Sequence, residues 1–348
     1  IQPATQVVPP PPRFLFGTMP AIVAKHYYAR ATLHEIGVFV QSGMVLSDGH
    51  LLSRPGIAYV CGHANIHLAH VQNVLSAWRE SRNVRHVSGV CALVAGPGLR
   101  IFGHWLVDLL PKIAILDIAG FDLTTIRFPF PADTPAFGLR WLQLLGIQPE
   151  QIVLYDTDHE LLELDTLLIP TTLHNGVRTS PVLADVVAFM RRAISLPPVN
   201  NQPQRMFISR SKTSQSRPLV NRSQIEAMAV KAGFSLVYPE RMSLQEQVAL
   251  FAGARQIVGE YGSALHSSMF AAPGTVVCAI RGSEIHPGFI QSGIGAVLRQ
   301  PTGYVIGGTD VDDPHGAFSV PEDVFADCLR HALGNISLDG PTPLDTAP

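Results

Sequence analysis

Short apolar runs along the chain alternate with stretches in which apolar residues recur every three or four positions. The runs predict buried strands, and the longer spacing predicts amphipathic helices. Strands are expected at 91–95, 125–130, 152–155, 166–169, 206–209, 236–238, 257–259, 275–280 and 304–306. Helices are expected at 66–79, 103–116, 135–145, 182–194, 223–232, 244–252, 264–271 and 321–333, and residues 36–60 are read as short strands forming a hairpin.

The regular alternation of strands and helices predicts an α/β fold with parallel sheets. A stretch rich in proline and asparagine, residues 196–203, interrupts it and is interpreted as a linker. The expected organisation is two Rossmann-like lobes facing a cleft. An N-terminal acceptor-side lobe covers 1–195, a C-terminal nucleotide-sugar lobe covers 204–335, and 336–348 is a tail.

Composition narrows the class of protein. Apolar residues make up 47% and charged residues 15%, and the net charge of −2 excludes a general basic surface for nucleic acid. Cys61, Cys91, Cys278 and Cys328 show no metal or redox spacing, and Cys91 and Cys278 are expected to be buried thiols. No apolar run is long enough to span a membrane. A cytoplasmic protein is expected, with a removed N-terminal targeting segment left open.

Cations follow the predicted strand 206–209. Arg210, Lys212 and Arg217 lie within one turn, and guanidinium groups match the geometry of phosphate oxygens. A solvated basic loop is the alternative interpretation.

A turn of small residues follows the predicted strand 257–259. Gly262, Ser263, Ala264 and Leu265 open the next predicted helix, where free N–H groups can bind an anion. Glu260 beside this turn could accept hydrogen bonds from ribose hydroxyls, or be an ordinary turn carboxylate. Because the two turns end strands of one parallel sheet, they predict a phosphate site at its carboxyl edge.

A histidine and a carboxylate share one face of the predicted helix 103–116. His104 and Asp108 are four positions apart, so their side chains can meet. An imidazole beside a carboxylate can take a proton from a hydroxyl group near neutral pH. A histidine that simply caps a packed helix is the alternative.

Two further patterns are compatible with metal binding. His63, His67 and His70 have ligand spacing on the helix expected at 66–79, although no acidic residue joins them. Asp156 and Asp158 form an Asp-x-Asp pair of the kind that holds a divalent ion against a diphosphate. Both patterns also arise by chance, and no metal site is predicted.

Three segments in register resemble glycosyltransferase family 61. They are Gly103 to Lys112, containing His-Trp-Leu-x-Asp-x-Leu-Pro, the Phe207-Ile208-Ser209-Arg210 strand end with Arg217, and Gly259 to Phe270. The similarity covers residues 90–285. Tyr261 stands where this family usually has histidine, Ser267 where it has asparagine, and Arg222 where an acidic residue follows Asn221.

This resemblance implies an inverting glycosyltransferase of the GT-B type. Its donor would be a nucleotide sugar, usually a UDP sugar, on the second lobe, and no metal or other cofactor would be required. The acceptor would be a glycan or glycolipid hydroxyl, as in capsule and other surface polysaccharide synthesis, with peripheral membrane association left open. Asp108 is the favoured base and His104 the alternative, since carboxylates suit oxocarbenium-like centres.

Two other functions are kept as alternatives. One is a noncatalytic protein that binds sugar nucleotides or glycans on the same scaffold, and the other is a metal-dependent transferase that uses Asp156 and Asp158. A dinucleotide dehydrogenase is disfavoured because the chain lacks the G-x-G-x-x-G fingerprint.

Overall fold

The computed structural model of this protein describes residues 5–7, 12–28, 31–33, 35–47, 50–51, 64–65, 77, 79–196, 202–210, 217–283, 289–308 and 316–332. Its strands are β1 Thr5–Val7, β2 Phe14–Phe16, β3 Ala31–Leu33, β4 Val38–Ser47, β5 His50–Leu51, β6 Ala64–Asn65, β7 Asn83–Ala92, β8 Phe128–Pro131, β9 Ile152–Tyr155, β10 Glu160–Pro170, β11 His174–Asn175, β12 Arg178–Thr179, β13 Arg205–Ile208, β14 Ser235–Val237, β15 Gln256–Glu260, β16 Val276–Arg281 and β17 Thr302–Ile306.

Its α-helices are α1 Ala21–Tyr28, α2 Leu110–Ile118, α3 Ala136–Leu144, α4 Leu183–Ala193, α5 Arg222–Lys231, α6 Leu244–Gly253, α7 Ile290–Leu298 and α8 Glu322–Asp327. A helical turn at Phe102–His104 and a π-helical segment at Trp105–Leu109 lead into α2. 3₁₀ helices lie at Leu123–Thr125, Pro149–Gln151, Pro239–Arg241 and Ser263–Phe270, and a π-helical segment lies at Cys328–Ala332. The predicted histidine cluster at 63, 67 and 70, most of the linker and the tail lie outside the described residues.

The chain divides into two units. The first holds the described residues within Ile1–Thr5, Thr32–Asn175 and Ser180–Ser195. The second holds those within Gln6–Ala31, Gly176–Thr179 and Leu196–Pro348. A division near residue 196 therefore agrees with the predicted linker, but the second unit also takes in an early segment that the sequence had placed in the first lobe.

The second unit is built on a six-stranded sheet with the order β14-β13-β15-β16-β17-β2, in which every neighbouring pair is parallel. Its inner strands β16 and β17 are covered on both faces, and all residues of both strands are buried. The parallel sheet predicted for this half is confirmed. From β13 onward the order is that of a doubly wound fold, with its switch point between β13 and β15.

Strand β2 explains why the early segment belongs to this unit. Leu15 pairs with Tyr304 at the edge of the sheet, and Phe14 lies against Gly303. A Cβ atom on Gly303 would lie 2.2 Å from the Phe14 ring, so the absence of a side chain there makes room for the phenyl group. Phe14–Phe16, for which the sequence analysis predicted no element, is thus the sixth strand of this sheet.

The first unit departs from the predicted all-parallel sheet. Its five-stranded sheet has the order β6-β5-β4-β10-β7, in which β10 is parallel to β7 but antiparallel to β4. Strand β10 has 11 residues, whereas the apolar pattern predicted 166–169 alone. Its first half carries Glu160 and Glu163, which pair with arginines at the surface and hide the strand pattern.

Local signals in the sequence are confirmed in several elements. Strand β9 has the predicted bounds, and α6 begins with the predicted capping box. The Glu246 N–H donates to Ser243 Oγ at 3.3 Å, and the Ser243 N–H donates to Glu246 Oε2 at 2.7 Å. Cys91 and Cys278 are buried free thiols, as expected.

Candidate functional site

The first group of candidate residues lies on the helical segment 102–118. Trp105 is fully buried, stacks on Phe130 with ring centroids 5.8 Å apart, and donates Nε1–H to the Leu99 carbonyl at 2.7 Å. Since the apolar side chains fix this segment on one side, His104 and Asp108 occupy its less buried side. Asp108 lies within the π-helical turn, a local insertion that is frequent at functional sites.

Asp108 is bound by two imidazoles. His104 Nδ1 lies 2.5 Å from Asp108 Oδ2, so the predicted pair forms, and His174 Nε2 lies 2.7 Å from Asp108 Oδ1. The side chains of Asp108 and His174 are 16% and 21% exposed, whereas that of His104 is 45% exposed. Asp108 is thus enclosed between the two rings, and His104 is the member open to solvent.

The charge state of Asp108 follows from this environment. Burial acts to raise the pKa of Asp108, but the charge of His174 and the hydrogen bonds from both histidines outweigh it, and the pKa falls well below its usual value. An ionised carboxylate only accepts hydrogen bonds. His104 therefore carries its proton on Nδ1 when neutral, which leaves a lone pair on Nε2.

Sequence reasoning missed His174. It lies 66 positions from Asp108, so no spacing rule connects the two. One signal was present: His174 closely follows the carboxyl end of β10, an edge at which functional side chains of α/β proteins collect.

The second group of candidate residues lies at the switch point of the six-stranded sheet. Glu260 ends β15, and its carboxylate accepts from Arg222 Nε at 2.7 Å and Nη2 at 2.9 Å. The backbone N–H of Arg210, after β13, donates to the same carboxylate at 3.1 Å. Hydrogen bonding to Glu260 raises the pKa of Arg222, as expected for a bidentate pair.

The structure shows which contacts Glu260 makes within the chain. Its side chain is 1% exposed, and both oxygens accept hydrogen bonds from the chain. These contacts favour the second interpretation of Glu260, a carboxylate of the turn, over the ribose contact. Glu260 joins the ends of β13 and β15 and fixes Arg210 and Arg222 beside the switch point.

Arg210 lies where it was predicted, after β13. Its Nη1 donates to the Tyr261 carbonyl at 3.1 Å, and a Cβ atom on Gly262 would be 3.2 Å from its Nε. Burial, and next the charge of Arg217, lower the pKa of Arg210. Gly262 was expected to let a ligand approach the backbone, and in the structure it accommodates the Arg210 side chain.

The helix after Gly262 is a 3₁₀ helix, Ser263–Phe270, and not the predicted α-helix. The Leu265 N–H donates to the Gly262 carbonyl at 3.0 Å, and the Leu265 side chain is buried, so the N–H predicted to contact a ligand is used within the turn. Ser263 and Ala264 are half-buried and contribute the first N–H groups of the helix, which lack intrahelical partners by geometry. The predicted anion contact therefore concentrates on the N–H groups of these two residues.

Two further guanidinium groups flank the ring of Tyr261. Arg217 lies 5.7 Å and Arg281 5.8 Å from its centroid. Arg217 has a left-handed backbone with φ of 54°, and its buried Nε has no hydrogen-bond partner among the described residues. Backbone strain of this kind is concentrated at functional sites. Arg281 was missed because it ends an otherwise apolar strand, and Lys212 lies outside the described residues.

The predicted Asp156-x-Asp158 pair has a local role. Asp156 Oδ1 accepts from the backbone N–H groups of Asp158 and His159, and its Oδ2 bonds His159 Nδ1 at 2.9 Å. These contacts close a surface turn. Within the described part of the chain, no three His, Cys, Asp or Glu residues form a set of metal ligands.

Comparison with known proteins identifies the family. The family model Glycosyltransferase 61 matches residues 102–278, just over half of the 348 residues, and the chain belongs to this family. The resemblance predicted from the motifs is confirmed, and so is the enzyme class, glycosyltransferase. The matched segment begins beside His104 and extends past the turn at Gly262.

Other comparisons are more distant. Among solved structures, the chain is similar to the bacterial iron-containing dodecameric glycosyltransferase TibC from enterotoxigenic E. coli H10407, with 16% identity and a TM-score of 0.29. The match covers 57% of this chain and 58% of TibC, so the chain spans less than two thirds of that protein's length. A search of curated proteins found no match. No helix among the described residues is long and apolar enough to cross a lipid bilayer.

Proposed function

We propose that this protein transfers a sugar, with inversion, from a nucleoside diphosphate donor, in the first instance a UDP sugar, to a hydroxyl group of a glycan or glycolipid. The donor binds the second unit and the acceptor binds the first, as in the GT-B arrangement that the resemblance implies. Guanidinium groups, and no metal ion, take up the charge of the leaving diphosphate.

The observation that carries the proposal is the charge at the switch point. Arg210, Arg217, Arg222 and Arg281 surround the ends of β13, β15 and β16, and Glu260 directly balances Arg222. The cluster therefore brings four guanidinium groups together in a partly buried place, beside the Ser263 and Ala264 N–H groups. A diphosphate is attracted by this positive charge and accepts hydrogen bonds from both kinds of donor.

The reaction needs a base, and the geometry favours His104 over Asp108. Both oxygens of Asp108 accept from imidazoles, and its lowered pKa makes it a weak proton acceptor. The Nε2 atom of the exposed His104 makes no hydrogen bond in the part of the chain that the structure describes. Asp108 then orients the ring and stabilises the imidazolium that forms, and His174 orients Asp108.

In the proposed step, Nε2 of His104 takes the proton of the acceptor hydroxyl. The acceptor oxygen forms a bond to the anomeric carbon on the face opposite the diphosphate. The bond between that carbon and the diphosphate oxygen breaks, and the electron pair leaves with the nucleoside diphosphate. Charge develops on the leaving oxygen beside Arg210 and Arg217, where it is stabilised by donors already in place.

The donor site is tested by calorimetric titration with UDP. Arg210→Ala is expected to weaken UDP binding about tenfold to a hundredfold, since a hydrogen bond to a charged group contributes roughly 1.5–3 kcal/mol. Arg205→Ala, at the exposed amino end of the same strand, is the matched control and should bind like the wild type. Unchanged affinity in Arg210→Ala would remove this residue from the site.

Transfer itself is tested by following a UDP sugar by NMR with a mixture of glycan acceptors. Donor consumption that persists in a chelator supports the proposal. UDP binding without consumption supports the noncatalytic alternative. Consumption that stops in the chelator and returns with a divalent ion supports the metal-dependent alternative.

A further inference from the structure

The turn at residues 96–101 lies directly before the helical segment that carries His104. The Leu99 N–H donates to the Gly96 carbonyl at 3.1 Å, and the Ile101 N–H donates to the Gly98 carbonyl at 2.8 Å. The turn is also tied to the helix, since the Leu99 carbonyl accepts from the buried Trp105. These bonds make it a fixed element beside the exposed His104.

Gly98 is the residue of this turn that faces the His104 ring. A Cβ atom on Gly98 would lie 2.4 Å from His104 Cγ and 2.7 Å from His104 Cδ2, distances that no side chain can adopt. Gly98 also has a φ of 83°, a conformation that side chains disfavour. The Gly98 backbone therefore supports the imidazole directly, at a spacing that only glycine permits.

Three other glycines of the first unit with left-handed backbones lack this contact. Gly89, Gly120 and Gly146 have φ values of 83° to 86°, but no atom lies within 4 Å of a Cβ atom built on any of them. Backbone conformation alone explains glycine at these positions. Only the environment of Gly98, among these four, adds a close approach to a residue of the proposed active site.

We propose that Gly98 is a positioning residue that acts through His104. By keeping the space beside the ring free of a side chain, it holds Nδ1 against Asp108 and leaves Nε2 open for the acceptor hydroxyl. This inference rests on the proposed function for its effect on turnover, but the placement of the ring can be measured without any activity.

The test compares Gly98→Ala with Gly146→Ala, because both changes put a side chain on a left-handed backbone and only the first meets His104. Histidine side-chain ¹⁵N NMR reports the proton and hydrogen bond at Nδ1. We expect the His104 signals to change in Gly98→Ala alone. Turnover of that variant should fall about a hundredfold, as expected for a misplaced catalytic group, while UDP affinity stays unchanged.

A folded Gly98→Ala variant with wild-type His104 signals and turnover would overturn the inference. So would an equal change in Gly146→Ala. If the wild type consumes no donor, the proposed function fails, and the NMR comparison still decides whether Gly98 places the ring. If the wild type consumes donor and Gly98→Ala has the same His104 signals and the same turnover, this inference fails and the proposed function stands.

A second comparison covers the case in which Gly98→Ala does not fold. In a His104→Gly background the ring and the Cβ atom of residue 104 are both gone, so the methyl group added at Gly98 no longer meets the three atoms nearest to it. The melting temperature of the double variant, relative to His104→Gly, should then fall no more than that of Gly146→Ala relative to the wild type. A much larger fall would show that Gly98 is required for another reason and would overturn the inference.

Discussion

The half-buried Asp108 and the buried Glu260 are two carboxylates, one in each unit, and each joins two basic residues. Asp108 accepts from the imidazoles of His104 and His174, and Glu260 accepts from the Arg222 guanidinium and the Arg210 N–H. Imidazole gains and loses a proton near neutral pH, whereas guanidinium remains charged. The first arrangement is therefore suited to moving a proton and the second to holding fixed positive charge in place.

The largest expected effect comes from removing His104, the histidine bound to Asp108 that is exposed to solvent. His104→Ala should lower turnover about a thousandfold, within the range for loss of a general base, and leave UDP affinity unchanged because the residues proposed to bind the donor belong to the other unit. His159→Ala removes an exposed histidine from a similar pair with Asp156 and is the control. Full activity in His104→Ala would end the proposed distinction between the two carboxylates.

The second largest effect is expected on the free energy of unfolding when Glu260 is changed. Glu260→Gln leaves the half-buried Arg222 guanidinium without its buried counter-charge, so the free energy of unfolding should fall by about 3 kcal/mol in urea titrations. Glu163→Gln, which breaks an ion pair between the exposed Arg79 and the half-buried Glu163, should cost under about 1 kcal/mol. Equal losses in the two variants would mean that Glu260 has no special structural role.

A smaller effect, on UDP affinity, is expected from changing Arg217, one of the two arginines beside Tyr261. Arg217→Gly keeps the left-handed backbone and removes the cation, so UDP should bind about tenfold more weakly. Arg299→Gly is a close match, since Arg299 has a φ of 56° but follows α7 at the amino end of β17. Calorimetry that finds the same affinity for both variants would exclude Arg217 from the donor site.

The smallest expected effect is the change that Asp108 causes in the free energy of unfolding at acid pH. The pKa of Asp108 is lower in the folded protein than in the unfolded chain, so its stabilising contribution is present above about pH 4 and is lost as pH falls through the folded value. Between pH 5 and pH 2, Asp108→Asn should lose roughly 1–2 kcal/mol less stability than the wild type. The exposed Asp117→Asn is the control, and a wild-type response in Asp108→Asn would contradict the lowered pKa.

The second unit could be predicted from the sequence more fully than the first. A strand covered on both faces, such as β16, must be apolar throughout, and that signal is local. The first half of β10 lies at the surface and carries glutamates paired with arginines, so the apolar pattern predicted a shorter strand than the structure has. Its antiparallel partner β4 depends on long-range pairing that periodicity does not encode.

The same limit applies to the candidate site. His104 and Asp108 are four residues apart on one helix, so their contact was predictable. His174 and Arg281 reach their positions through the tertiary fold and were missed. The 3₁₀ form of Ser263–Phe270 was also missed, because apolar spacing over eight residues does not distinguish it from an α-helix.

Strand β2 bears on how a newly made chain reaches its final form. Phe14, Leu15 and Phe16 pair with a strand that is made roughly 290 residues after them. At ordinary rates of synthesis this interval is about 15 to 60 seconds. The second unit therefore cannot complete its sheet until that interval has passed, and until then an apolar strand must be kept from aggregating with other nascent chains.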